Sequence, residues 1–325
     1  MAKVALVFGG AGFIGSHLLA HLAASGAYSG LVSADIAEPR FSVEGVNYIK
    51  LDVRKPIPDD LAPGTTEIYN LAAVHTTPGH EDWEYYWTNV LGATHVSDFA
   101  RRRGIDRIVF TSSIAVYGPS EARKDEDSVL EPTSAYGCSK LCAEKIHALW
   151  QAERPGERHL VVVRPAVIYG YTERGNFTRL GTLLRKGRFV FPGRTDTIKA
   201  CGYVEDLVDS MRWVLDLGLP TVTYNFCHQE RYTTAQICEA FSRVAGYAPA
   251  KRVIPLGPML LGAYAFEVAG KVGLKTSINR PRIMKLVRSN NIVPKRLGEL
   301  GFKYQYDLDA SLEKWKLDSP SGHFD

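Results

Sequence analysis

The segment FGGAGFIGSH, with Gly9, Gly12 and Gly15 at three-residue intervals, restricts this chain more than any other stretch. An apolar, β-branched run from Lys3, KVALVFG, leads into it, and a helix-period segment follows Gly12. Glycines without Cβ atoms permit a tight strand-to-helix turn, with Phe13 and Ile14 opening the helix, and let the backbone approach a ligand closely. The exposed amides and dipole of that helix start favour a negative group such as a pyrophosphate. Asp35 ends the next strand-like run, LVSAD, twenty residues after Gly15. A carboxylate there can accept hydrogen bonds from an adenosine ribose and would repel a 2′-phosphate, which favours NAD over NADP. Arg40 is close enough in sequence to keep NADP open.

Beyond the loop, strand-like and helix-period segments alternate, the sign of a parallel sheet covered by helices on both faces. The predicted strands are KVALVFG, LVSAD, NYIKLDV (to Val53), EIYNLAA (to Ala73), RIVFTSS (to Ser113) and HLVVVRP (to Pro165). Helices are predicted after Gly12, over Tyr86 to Arg103, over Ala135 to Ala152 and near Leu308 to Trp315. The fold class is therefore α/β, a Rossmann-type doubly wound parallel sheet. After about Tyr171 the alternation loosens among glycine and proline turns, so residues 1–170 read as a dinucleotide-binding domain and 171–325 as a smaller substrate-facing lobe. A chain of 325 residues, 45% hydrophobic and 23% charged, can bury such a core.

The composition excludes several function classes. The net charge of +4 arises from 39 basic and 35 acidic residues spread along the chain, which disfavours a nucleic-acid partner. Five cysteines (Cys138, Cys142, Cys201, Cys227, Cys238) form no CxxC pair, which argues against a disulfide framework or a zinc cluster and for a reducing, cytoplasmic compartment. The N-terminal residues enter a strand at once, with no leader pattern. The apolar stretch PLGPMLLGAYAF, residues 255–266, is shorter than the roughly 20 residues of a membrane span. It reads as a buried or peripheral amphipathic helix, with contact to a membrane surface as the alternative.

Asp52 and Val53, in LDV, stand at the strand end where side chains face the adenine edge, with a strand-end cap as the alternative for Asp52. Leu71, Ala72 and Ala73, in NLAAVH, end the fourth strand where a dinucleotide crosses the sheet. Chemistry enters with TSSIAVYG, carrying Ser112 and Ser113, and YGCSK, carrying Tyr136 and Lys140. Tyrosine and lysine four apart share one helix face. The ammonium, together with a positively charged nicotinamide, is expected to lower the phenol pKa and make Tyr136 a general base. A serine on the adjacent strand end can bond the same substrate oxygen.

In order and spacing, GGAGFIG, Asp35, LDV, NLAA, TNVLGATHV, TSSIAVYG, YGCSK and RPAVIYG resemble the extended short-chain dehydrogenase/reductase superfamily. Within it they are most similar to the NAD-dependent epimerase/dehydratase family acting on nucleotide sugars, and nearly the whole chain is covered. The resemblance implies Ser113 as the catalytic serine, Tyr136 as base and Lys140 on the nicotinamide ribose. It places Arg164 and Pro165 at the turn toward substrate and gives Asn89 a supporting role. Asn176 and Phe177, in ERGNF, resemble a nucleotide-contacting region, and Arg280, Arg282 and Lys285, in NRPRIMK, resemble a late basic segment that reaches a diphosphate. A packed turn and a solvated helix face are the respective alternatives. His75 is a second acid/base or a loop histidine bonded to backbone.

Where the family's 4,6-dehydratases carry an Asp-Glu pair, this chain has Ile114 and Ala115, which disfavours dehydration. The expected reaction is 4-epimerisation of a nucleotide sugar. The alternatives are a nucleotide-sugar dehydrogenase or 4-reductase and a hydroxysteroid-type dehydrogenase. The resemblance also implies a homodimer through the helices after Tyr86 and Ala135, with Val90, Ala93, Val96, Leu141, Ile146 and Leu149 as interface or core.

Overall fold

The computed structural model describes residues 3–76, 79–271 and 280–324. In chain order, β1 (Lys3–Phe8), α1 (Phe13–Ala24), β2 (Tyr28–Asp35), β3 (Val46–Lys50) and β4 (Glu67–Asn70) lead into α2 (Asp82–Tyr85), a π-turn (Tyr86–Val90) and α3 (Leu91–Arg103). β5 (Arg107–Thr111), a 3₁₀ turn (Ile114–Tyr117), β6 (Ser120–Lys124), α4 (Ala135–Ala152) and β7 (His159–Pro165) follow. Next come β8 (Val167–Tyr169), α5 (Asn176–Arg185), β9 (Phe191–Pro192), β10 (Cys201–Tyr203), α6 (Val204–Asp216), β11 (Thr221–Phe226) and α7 (Thr234–Ala245). The chain closes with β12 (Val253–Ile254), α8 (Leu256–Lys271), α9 (Arg280–Val287), β13 (Asn290–Ile292), α10 (Lys295–Leu300) and α11 (Leu308–Asp318).

Seven parallel strands form the central sheet in the order β11-β7-β5-β4-β1-β2-β3. Helices cover both faces, which is why β1 buries Ala5 through Phe8 without alternation. Leu18, Leu19 and Leu22 of α1 pack with Leu207 and Met211 of α6 on one face. Ala93, Val96 and Phe99 of α3 pack with Ala143 and Trp150 of α4 on the other. The chain reverses its progression across the sheet between β1 and β4, the switch point where ligands lodge in such folds.

Three strands stop short of their predicted ends, at Lys50, Asn70 and Thr111. The residues beyond them leave the ladder as loops over the carboxyl edge, so Asp52, Ala72, Ala73 and Ser113 sit above the sheet rather than in it. The helix predicted from Tyr86 starts earlier, at Asp82, where a reciprocal capping box of Glu81 and Glu84 satisfies the first turn. Ala93 and Val96 belong to the core, which removes them from any subunit contact. The boundary expected at residue 171 does not divide the fold. β11, from beyond that point, pairs with β7 along its length, and α6 covers the same sheet beside α1.

Candidate active site

The glycine loop lies at the switch point. Gly9 has φ +77°, and a Cβ there would stand 2.6 Å from the Ala72 amide nitrogen and 2.7 Å from the Leu71 carbonyl carbon. A Cβ on Gly15 would stand 2.4 Å from the Gly9 carbonyl oxygen. The spacing thus serves two close backbone approaches and one left-handed turn. No side chain caps α1, whose N-cap is Gly12, so its first-turn amides near Phe13 and Ile14 remain for a ligand. Asp35 Oδ2 accepts the Ala11 amide at 3.0 Å and Oδ1 accepts the Ala37 amide at 3.0 Å, which fixes the carboxylate beside the loop. The Arg40 amide donates to the Ala11 carbonyl at 3.1 Å, and burial, then the nearby Arg174, lowers the Arg40 pKa. A glycine cradle, uncapped helix amides and a pinned acid fit the pyrophosphate and ribose of a dinucleotide.

Asp52 is already partnered. Arg54 grips its carboxylate through Nε and Nη2 at 2.8 to 3.1 Å, and that bond holds Asp52 below the usual carboxylate range. The Arg54 amide also donates to Oδ1 at 3.0 Å, the cap geometry of a strand end. Val53 is buried, and its carbonyl accepts His95 Nδ1 at 2.8 Å.

Ser134 caps α4 by accepting the Gly137 amide at 3.1 Å, and this sets Tyr136 in the first turn with Lys140 one turn on. A Cβ at residue 137 would lie 2.5 Å from the Ala115 carbonyl oxygen. Glycine there lets α4 press on the 3₁₀ turn that Ser113 caps, where the Ser113 hydroxyl accepts the Ala115 amide at 3.1 Å. Tyr136 is half-buried, with its ring 6.1 Å from that of Tyr85. Burial raises its phenol pKa, a side-chain hydrogen bond with Ser113 pulls it back, and Tyr85 adds to the rise. Lys140 turns its Nζ to the Thr111 carbonyl at 2.8 Å and lies 4.9 Å over the Phe110 ring.

Burial, partly offset by Glu144, brings Lys140 from its ordinary value down to about 7. From pH 7 toward 10 the unfolded chain therefore holds a proton that the folded protein lacks, and the stability of the folded state rises with pH. Without NAD, the melting-temperature difference between wild type and Lys140→Met should shift in favour of wild type from pH 7 to pH 9. Parallel pH curves for the two proteins would contradict it.

Buried braces hold these groups. Asn89, in the π-turn, accepts the Val74 amide at 2.9 Å and donates to the Val74 carbonyl at 3.1 Å and to Ser139 Oγ at 2.9 Å. It thereby ties the loop after β4 to α4 between Tyr136 and Lys140. His147 bridges Asn70 and Ser97, and burial, then Lys140, brings its pKa down to about 3. Glu144 pairs with Arg164 at 2.7 Å and receives the Ser112 hydroxyl, while Arg164 also donates to Tyr117 Oη at 2.7 Å. Arg164, expected at the turn toward substrate, is 5% exposed and belongs to this brace. Glu144, His147 and Gly137 escaped the sequence reading. Their one signal is the four-residue step from Lys140 to Glu144 along a single helix face.

His75 is exposed in the loop after β4, near enough to Lys140 and Arg40 that both, after burial, lower its pKa. Its bond to the Ala73 backbone is of the kind expected for a loop histidine. Asn176 is exposed at the start of α5. Phe177, by contrast, is 5% exposed and stacks on Tyr169 at 4.3 Å with an interplanar angle of 4°. The aromatic core, not a ligand, accounts for that ring. The side chain of Arg282 lies outside the described residues.

The model of the NAD-dependent epimerase/dehydratase family matches residues 5–227. The N-acetyl-alpha-D-glucosaminyl-diphospho-ditrans,octacis-undecaprenol 4-epimerase of Escherichia coli O157:H7 is 28% identical, over 95% of this chain and 93% of that protein. Among solved structures, MoeE5 in complex with UDP-glucose and NAD superposes with a TM-score of 0.75 at 23% identity, covering 96% of this chain and 97% of that one. The UDP-glucuronic acid 4-epimerase of Bacillus cereus in complex with NAD gives a TM-score of 0.74 at 18% identity, covering 96% and 97%.

Proposed function

The chain belongs to the NAD-dependent epimerase/dehydratase family, and from that premise we propose that it is a 4-epimerase of the nucleotide-sugar type, acting on a sugar esterified to a diphosphate. The observation that carries this reading is the hydrogen-bonded pair of Ser113 and Tyr136, one helical turn from Lys140 and beside the glycine cradle. Bound NAD supplies a reversible hydride acceptor for C4 of the sugar. Tyr136 takes the proton of the C4 hydroxyl, and Ser113 bonds the same oxygen as charge develops on it. After the keto sugar has presented its other face, Tyr136 returns the proton. Lys140 and Asp35 would hold the two riboses of NAD, and the first-turn amides after Gly12 would hold its pyrophosphate. Leu71, Ala72 and Ala73 form the opposite wall. Ile114 and Ala115 offer no second acid to expel water, which supports epimerisation over dehydration.

Incubation with NAD and a panel of sugar diphosphates should give a mixture of C4 epimers without net accumulation of NADH, and NADP should not replace NAD. Stoichiometric NADH with an oxidised sugar would point to a dehydrogenase and sink this reading.

The assembly we propose is a homodimer through the helices of Trp83 to Val90 and α4. Trp83 and Trp87 are 56% and 47% exposed with their rings 5.2 Å apart, and Leu149 is exposed on α4. Trp87→Glu should convert a dimer to a monomer in analytical ultracentrifugation. A wild-type monomer at micromolar concentration would contradict the assignment. All five cysteines are free thiols, which supports a cytoplasmic setting. Among the described residues no helix is long and apolar enough to cross a membrane.

A further inference from the structure

A helix on a water-facing surface ordinarily carries charge on its outer side. α8 does not: Leu256 through Phe266 contain no charged side chain. Leu256, Met259, Leu260 and Ala263 form its more buried stripe, while Leu261, Tyr264 and Phe266 are 71%, 50% and 42% exposed. The apolar surface continues onto Val253 and Ile254 of β12 and Leu286 of α9, all exposed. α8 packs on α9, α9 on β9, and β12 pairs with β9, so these elements are neighbours.

Among the described residues, the charges near that face are mostly positive: Lys251, Arg252, Arg280, Lys285 and Arg288 against Glu267. Residues 251–288 hold eight lysines and arginines against one acid, Glu267, an excess larger than the +4 of the whole chain. The rest of the molecule is therefore net negative. Glu267 is itself bound by Arg280 at 2.9 Å, whose guanidinium lies 5.0 Å over the Tyr264 ring. Lys251, Arg252, Lys285 and Arg288 are exposed. Protruding aliphatic and aromatic side chains rimmed by cations complement the acyl boundary and anionic headgroups of a bilayer.

The face is linked along the chain to a strand that follows the Ser113 turn. α9 runs into β13, whose Asn290 pairs with Ser120, seven residues after Ser113. We propose that α8, with β12 and α9, docks on an anionic lipid bilayer, and that the sugar diphosphate acted on is carried by a membrane-anchored lipid. The choice of lipid over nucleotide rests on the 4-epimerase reading; the docking does not.

The test uses the full chain with phosphatidylcholine vesicles, with and without phosphatidylglycerol. Flotation should show binding to the anionic vesicles that falls with added salt and is weak on phosphatidylcholine alone. A Leu261→Glu, Phe266→Glu double variant should lose about tenfold or more of the bound fraction and keep its thermal stabilisation by NAD. Epimerisation of a polyprenyl-diphosphate sugar embedded in those vesicles should fall in parallel. Equal binding by wild type and double variant would overturn the docking, as would a double variant that dissociates an oligomer while wild type ignores vesicles, which makes the occupant a second copy of this chain. Vesicle binding combined with turnover of soluble nucleotide sugars only would overturn the lipid-borne substrate. Vesicle binding lost in the double variant, with no sugar diphosphate epimerised by wild type, would uphold the docking and sink the 4-epimerase reading instead.

Discussion

Tyr136→Phe is expected to lower turnover about 10²-fold or more while leaving NAD binding and the melting temperature near those of wild type. The phenyl ring keeps its volume beside Tyr85, and among the described residues it is the hydroxyl bond to Ser113 that is lost. The loss therefore falls on the step that needs a proton acceptor, and kcat and kcat/KM should decline together. Burial holds the Tyr136 phenol above its ordinary value, so the active, deprotonated form gains as pH rises and kcat/KM of wild type should climb toward the alkaline side. Lys140→Ala should weaken NAD binding as well as turnover, and Ser113→Ala should be the mildest of the three. If Tyr136→Phe kept most of its turnover, the proton chemistry assigned here would be wrong, and His75 would be the next base to test.

Arg164→Met is expected to destabilise the fold by about 3–5 kcal/mol, an effect on stability as large as the first is on rate. Glu144 and Arg164 are 7% and 5% exposed, and the carboxylate accepts Arg164 Nε at 2.9 Å and Nη2 at 2.7 Å. Removing the guanidinium strands a buried charge against the Ser112 hydroxyl. A Glu144→Leu, Arg164→Met double variant removes both charges and should regain most of the loss, because a buried ion pair contributes little net stability over apolar residues of similar volume. The exposed pair of Arg243 and Asp309 provides the contrast: Arg243→Ala should cost about 1 kcal/mol or less. Urea unfolding of the single and double variants measures the cycle. A double variant no more stable than Arg164→Met would show that the pair holds the site by geometry that apolar packing cannot replace.

The parts of this molecule that were legible in its sequence are those where one residue type has one physical use. The glycine turn, the helix over Ala135 to Ala152 and the shared helix face of Tyr136 and Lys140, four apart, are of this kind. Strand ends were less legible, since NLAA and TSS read as strand continuations whether they pair or turn. That Lys140 turns its Nζ to the Thr111 carbonyl was not legible, because the sequence shows only that Lys140 is one turn from Tyr136. Phe177 looked like a ligand contact because an aromatic after Gly-Asn suits a pocket and a core equally, and only Tyr169, stacked on it, decides. The Glu144 and Arg164 brace joins residues twenty apart on different elements, a pairing that no local pattern encodes.

The strand β11 sets a limit on how this protein can move and on how its relatives can diverge. Because the chain leaves the sheet after β7 and returns to form its outermost strand, the part after residue 171 is threaded through the sheet and does not hang from a single linker. Cleft opening by a one-point hinge is therefore unavailable, and adjustment around a substrate has to come from small sliding of packed helices and from loops. Truncation after residue 171 would remove a strand along with the lobe. The excursions between β8 and β10 and after β11 are, by the same threading, where length and chemistry can change without disturbing Ser113, Tyr136 and Lys140. The segments around the core can in this way change while the core itself stays fixed.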